Sequence, residues 1–267
     1  MAVRFREPPP ASSVRVPSGG DRDSRGVSVR LLRGFELRLD GEAIPVPSIV
    51  ERLVAFLALH DRFVNRPFVA GTLWPDASDD RAGASLRSAL WRLRQLVRPV
   101  VVAVNDRLGL AGGTAVDLRD ASEVAHRILA PSARAAPPRS GAAILTGDLL
   151  PGWSDDWVVL ERERFRQLRL HALERLCDQL SAAGRFAEAT EAGLAAVAGE
   201  PLRESAHRAL IRAYLAEGNR GQALGQYERL RTVLRDELGV SPSPLVEGVM
   251  AELDAGDAAD GLAARRG

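Results

Sequence analysis

The sequence predicts a mostly α-helical chain with a small antiparallel β component near its front and an all-α second half. Three observations predict it. Apolar and polar residues alternate with the strand period only at Val27–Leu32, at Phe35–Leu39 and in the short runs near Val100–Ala111. From about Trp157 onward, Ala-, Leu-, Arg- and Glu-rich segments repeat with helical spacing. Between the two lies the Pro/Ala/Gly-rich stretch PSARAAPPRSGAAILTG, residues 131–147.

Residues 1–26 are rich in Pro, Ser, Gly and Arg and read as a disordered basic arm. Asp40-Gly41 is a hairpin turn that leads to a further strand over Glu42–Val46. Ile49–His60 reads as a helix, and Asn65-Arg66-Pro67 opens another that Pro75 ends at Trp74. Ser78 can cap a third helix, with Asp79 and Asp80 suited to its positive end. Pro99 stops it. Val100–Val104 and Leu108–Ala111 then flank Asn105-Asp106-Arg107 as a second hairpin. Sheet, three helices and hairpin, in that order, is the winged helix-turn-helix plan.

The third helix, RAGASLRSALWRLRQLVR, holds Arg81, Arg87, Arg92, Arg94 and Arg98 and no acid. At about 100° per residue, Leu86, Leu90, Leu93 and Val97 form one core stripe. Arg81, Ala84, Ser85, Ser88, Trp91, Arg92 and Gln95 lie opposite, with Arg87 and Arg94 on a flank. Small residues permit close approach to a duplex groove. Arginines suit phosphate or guanine, and Ser or Gln suits base edges. With Arg107 from the second hairpin, this predicts a DNA-binding set of Arg81, Ser85, Arg87, Ser88, Trp91, Arg92, Arg94, Gln95 and Arg107. A solvated surface helix is the competing reading, but such faces usually mix charge signs.

Composition excludes more than it selects. Hydrophobic residues make up 46% of the 267 and support two cores, and the formal net charge is +1. All 36 basic residues are Arg, which lowers the weight of any one of them. Cys177 is the single cysteine, so no internal disulfide forms. The four histidines are scattered, and no metal or cofactor site is expected. No apolar run approaches the ~18 residues of a membrane span, and no signal-peptide core is present. The expected location is cytoplasmic and nucleoid-associated, with no membrane partner. GxSxG, GxxxxGK[ST], HExxH and GxGxxG are all absent, so no enzyme and no catalytic residue is expected.

The second half predicts helices over Trp157–Ala183, Phe186–Ala198, Glu204–Glu217 and Gly221–Leu238, then a short one over Leu245–Leu253. Leu180, Gly184 and Ala189 recur 34 residues later as Tyr214, Gly218 and Ala223, the tetratricopeptide period. Small residues there are expected to let paired helices cross closely. Phe186 and Pro201 stand at that repeat's aromatic and proline positions. The expected division is a basic arm 1–26, a winged-helix domain 27–130, a linker 131–146, a tetratricopeptide-like domain 147–254 and a disordered tail 255–267.

Two segments carry a resemblance. GDLLPGWSDDWVVLERERFRQLRLHALERL and PLRESAHRALIRAYLAEGNRGQALGQYERLRTVLRDELGVSPSPLVEGV resemble the bacterial transcriptional activator domain. The match rests on the Gly147–Gly152 turn, Asp156-Trp157, Glu161-Arg162, the Pro201–Glu204 turn, and Leu234–Gly239 followed by Ser241 and Pro242. LRSALWRLR and the leading sheet resemble the OmpR-type winged helix. Together, over about residues 27–253, this resembles the Streptomyces antibiotic regulatory protein family in its two-domain form. The resemblance implies a transcriptional activator of a secondary-metabolite gene cluster. It implies double-stranded promoter direct repeats, a second protomer on the adjacent repeat, and RNA polymerase as partners. The wing turn Asn105-Asp106-Arg107-Leu108 departs from the Gly-Tyr common in the family, and Trp91 replaces a smaller polar residue. A tetratricopeptide-like adaptor or effector sensor with weak or lost DNA binding is the alternative.

Overall fold

The computed structural model describes residues 26–96, 98–130 and 141–251. It opens with β1 (Val27–Arg30), β2 (Glu36–Leu39) and β3 (Glu42–Ala43). β1 and β2 pair antiparallel, Val27 opposite Leu39 and Val29 opposite Leu37. This register sends Val29 and Leu37 into the core. The turn Asp40-Gly41 has positive φ at both residues (51° and 89°), as a two-residue hairpin requires. Asp40 Oδ1 also accepts the Gly26 N–H at 2.8 Å.

α1 (Ser48–Leu59) follows, then β4 (Val64–Asn65), α2 (Arg66–Leu73) and α3 (Asp79–Leu93). α1 buries Val50 and every residue from Leu53 to Ala58, because it is packed on several sides. β5 (Val101–Val104) and β6 (Arg107–Leu110) make the second hairpin, and β4 adds to its β6 edge.

α3 ends at Leu93, short of the Arg98 expected from the sequence. The amides of Gln95 and Leu96 bond back three residues, to Arg92 and Leu93, which tightens the last turn. Pro99 disfavours helical backbone at residue 98. Unwinding turns Leu96 toward the core and lets Arg98 Nε reach Asp40 Oδ2 at 2.9 Å. Val97, expected in the core stripe, lies outside the described residues. Ser78 does hold the N-cap position, but its side chain makes no cap bond; its carbonyl accepts the Ala82 N–H at 2.8 Å.

β4 had no sequence expectation, nor had the short helix at 141–144, which falls where a linker was expected, nor the two elements that follow the second hairpin. β7 (Ala115–Val116) pairs with β1 in parallel, and α4 (Asp117–Leu129) follows it directly. The Asp117 carboxylate accepts the Leu31 and Leu32 amides at 2.8 and 3.1 Å. α4 then packs on α6, and Ala125 and Ile128 share a core with Leu173 and Leu176.

The helical half comprises α5 (Gly141–Ile144), α6 (Asp156–Ala182), α7 (Phe186–Gly199), α8 (Glu204–Glu217), α9 (Arg220–Leu238) and α10 (244–251). Gly184 and Gly218 follow α6 and α8 with φ of 72° and 87°. A Cβ at either would touch nothing, so these glycines stop helices and do not serve close crossing. Close crossing falls instead to Gly193 of α7, where a Cβ would meet Leu210 at 2.9 Å and Cys177 Sγ at 3.3 Å. Ala189, Ala192 and Ala196 of α7 and Ala206 and Ala213 of α8 are buried in the same seams.

The halves share one core. Leu149, Leu150, Val158 and Phe165 belong to the cluster of Val29, Leu31 and Phe56. The strap before α6 runs along the end of β1: Arg33 N–H donates to the Asp148 carbonyl (2.7 Å), and Leu150 N–H to that of Leu31 (2.9 Å). Arg162 holds the strap from α6 through the carbonyls of Leu149, Leu150 and Trp153. Arg52 of α1 pairs with Asp155 at 2.5 Å.

Candidate nucleic-acid interface

α2 and α3 pack against each other, and α3 also packs on α1. Ala82, Leu86, Ala89 and Leu93 are the buried positions of α3, and Leu90 is half-buried at the edge of the same core. That seating leaves Arg81, Ala84, Arg87, Ser88, Trp91 and Arg92 exposed, with Ser85 half-buried between them. Trp91 is 62% exposed, a large apolar surface for a helix that already has a core face. Arg94 and Gln95 lie beyond the helix end, in the turn, and both are exposed. The Gln95 amide nitrogen faces the Trp91 carbonyl at 3.5 Å.

The electrostatics set four of these arginines apart from Arg98 and Arg107. Among the described residues, the guanidinium groups of Arg81, Arg87, Arg92 and Arg94 have no hydrogen bond and no ion pair. Arg98 is held by Asp40. No acidic side chain follows Asp80 on this helix, so four guanidinium groups stand unneutralised along one face and its end. Gly83 gives Arg87 room to lie back: its Nη1 would sit 3.4 Å from a Cβ there.

Arg107 is the first residue of β6 rather than part of the turn, which is Asn105-Asp106 with φ of 54° at Asn105. Its Nε donates to Asn65 Oδ1, the residue before α2, at 3.1 Å. Beside it, Arg66 N–H donates to the Asp106 carbonyl (3.0 Å), and Arg66 Nε lies 3.9 Å from the Asp106 carboxylate. The wing turn is thereby stitched to the start of α2. Arg66, Pro67, Asp79, Gly83, Arg87 and Asp106 line a cavity of about 440 Å³ between α2, α3 and the turn. The structure thus gathers Arg87 with Arg66 and Asp106, and it leaves Arg107 engaged with Asn65. Arg66 was not singled out from the sequence, because its neighbour Asp106 is forty residues away.

Among the described residues no group of His, Cys, Asp and Glu is placed to hold a metal ion, and no helix is long and apolar enough to cross a membrane.

Comparison with known proteins agrees with this layout. The family model described as the bacterial transcriptional activator domain matches residues 115–253, which include α4. Two curated relatives are each a regulatory protein AfsR. That of Streptomyces coelicolor is 31% identical over 219 residues, and that of Streptomyces griseus 30% over 227. The matches cover 77% and 81% of this chain but only 22% and 23% of those proteins. A solved structure, Mycobacterium tuberculosis EmbR in complex with low affinity phosphopeptide, shares the fold with a TM-score of 0.66 at 23% identity. That match covers 84% of this chain and 63% of that one. The family is one of transcriptional regulators and not of enzymes. The chain belongs to the bacterial transcriptional activator domain family, with the layout of the Streptomyces antibiotic regulatory protein type.

Proposed function

We propose that this chain is a sequence-specific, double-stranded DNA-binding transcriptional activator that reads a major groove with α3. The observation that carries the reading is the unneutralised face of Arg81, Arg87, Arg92 and Arg94 around Ser85, Ser88, Trp91 and Gln95. Unpaired guanidinium groups are free to exchange counterions for phosphates, and the small residues between them let the helix approach base edges. Arg107 meets the adjacent backbone from the wing. The similarity to two regulatory proteins AfsR supports a regulatory role, and the same proposal takes promoter direct repeats as target, two protomers side by side, and RNA polymerase recruited at a secondary-metabolite gene cluster. The division into a winged-helix unit 27–130 and a helical unit 147–254 belongs to the same proposal.

The test is footprinting on DNA flanking its own gene, followed by gel shift with an Arg87/Arg92/Arg94 triple-alanine protein. Each arginine on a phosphate is expected to lower the log–log salt slope by about 0.9 when removed. One on a base edge is expected to cost about 1–3 kcal/mol at a single operator position. Undiminished affinity in a folded triple variant overturns the reading and favours a tetratricopeptide-like adaptor.

A further inference from the structure

Where the two halves meet they frame an open cleft of about 890 Å³. Trp74 and Asp76, at the end of α2 and in the turn to α3, form one wall. Asp156 and Trp157, at the start of α6, form the other. Arg52 of α1 and Arg81 of α3 border it. The volume falls within the roughly 300–1,000 Å³ of small-molecule sites, which favour places where structural units meet.

The walls are held in place, as a preformed site requires. Trp157 stands edge-on to the buried Phe56 (ring centroids 5.3 Å apart, 82°) and to Trp153 (6.1 Å, 87°). Arg52 is tied to Asp155 at 2.5 Å. The turn after α2 is closed by the Trp74 N–H on the Ala70 carbonyl (3.0 Å) and the Ala77 N–H on the Trp74 carbonyl (3.1 Å).

The lining selects a ligand chemistry. Arg52 and Asp155 neutralise each other. Asp76 and Asp156 then stand against Arg81, a surplus of one negative charge. Both carboxylates are exposed, and among the described residues neither has a hydrogen bond or an ion pair. Indole rings beside carboxylates suit an organic cation, which gains from the ring quadrupole as well as from the charge. An anion would meet the negative surplus instead. Two donors of the lining residues, Arg52 Nε and Trp157 Nε1, are buried without an acceptor. Both can only donate, so what they lack is an oxygen or nitrogen lone pair.

We propose that this cleft binds a small organic amine that also bears an oxygen acceptor, with Asp76 and Asp156 drawing its ammonium group and Trp74 and Trp157 flanking its apolar body. The site stands whether or not α3 reads DNA.

The test is a titration of the full chain with tyramine, an aromatic amine with a phenolic oxygen, read from the indole N–H signals of its four tryptophans by nuclear magnetic resonance. The Trp74 and Trp157 signals are expected to shift saturably, while that of Trp91, out on α3, stays in place. 4-Hydroxyphenylacetate, the same ring with a carboxylate for the ammonium, is expected to shift neither. Asp76→Asn/Asp156→Asn is expected to weaken tyramine binding by at least about tenfold. Glu228→Gln/Asp236→Asn in α9, which removes the same charge outside the cleft, is expected to leave it unchanged. Absence of a saturable shift overturns the proposal. So does an equal response to 4-hydroxyphenylacetate, undiminished binding in the cleft variant, or an equal loss in the α9 variant.

Discussion

Leu86 and Leu90 sit one turn apart on α3, yet their burial differs: Leu86 is 3% exposed, and Leu90 lies at the rim of the core. Leu86→Ala is expected to cost about 2–5 kcal/mol, the range for a fully buried leucine. Leu90→Ala is expected to cost less, about 1–2 kcal/mol. Urea unfolding of the two variants checks the order. A second single-residue test concerns His207, buried between α8 and α9. Its Nε2–H donates to the Pro201 carbonyl at 3.0 Å, and Nδ1 accepts from the Gln226 amide at 2.8 Å, an arrangement that fits the neutral ring. Burial holds its pKa below the ordinary value of 6.5, although the bonds to Pro201 and Gln226 and the charge of Glu204 oppose that. The folded state therefore binds fewer protons than the unfolded chain in the window just below that value. Stability is fully present above it and is lost as pH falls through 6.5 toward the folded pKa. The urea midpoint is expected to drop between about pH 7.5 and 5.5, and His207→Leu is expected to remove this part of the slope.

At the scale of elements, two glycines inside helices have opposite roles. Gly193 of α7 lies where a Cβ would strike Leu210 and Cys177, both fully buried and unable to retreat cheaply. Gly225 of α9 has nothing within 4 Å of that position. Gly193→Ala is expected to destabilise by about 1–3 kcal/mol through overpacking. Gly225→Ala is expected to stabilise by about 0.5–1 kcal/mol, because helical alanine loses less backbone entropy. Thermal melts of the pair check the opposed signs. Legibility followed the same physics. α1, α2 and α6 to α9 were readable because their periods and caps are local. α4 carries a stripe that is just as local, Ala121, Ala125 and Ile128 at helical spacing, so the sequence holds a signal for it that the strand-and-hairpin reading of this region passes over. β7 is two residues long, too short for a period to show. The length of α3 was misjudged for a different reason. An amphipathic pattern runs on through Arg98, but Pro99, the pull of Leu96 toward the core and the Asp40 carboxylate decide where the helix stops.

For the whole molecule, the consequence of one shared core is mechanical. A fragment 27–130 loses Leu149, Leu150, Val158 and Phe165, and with them the lid over Leu31 and Phe56. It also loses the Asp155 partner of Arg52. Such a fragment is expected to bind DNA more weakly than the full chain, because contacts between protomers on adjacent repeats and their avidity are lost. The structure adds a second cause, an opened core. The fragment is expected to melt more than about 10 °C below the full chain, given roughly 1.5–3 kcal/mol for each large apolar side chain uncovered. Circular dichroism melts check this before any gel shift of the fragment is interpreted. A melt unchanged from that of the full chain would show that the strap is dispensable.

The sequence by itself determined the class of fold, the order of its main helices and hairpins, the family and the cationic character of α3. All of these rest on local information: periodicity of 2 or 3.6, turn dipeptides such as Asp40-Gly41, and residue types within one helix. Only the tertiary structure decided which arginines are left without a partner, since Arg98 finds Asp40 and Arg107 finds Asn65 across long sequence distances. It also decided that the strap at 147–153 joins both halves into one core. Charge pairing and core sharing depend on distances in space, and residues on different elements acquire those distances only when the helices pack.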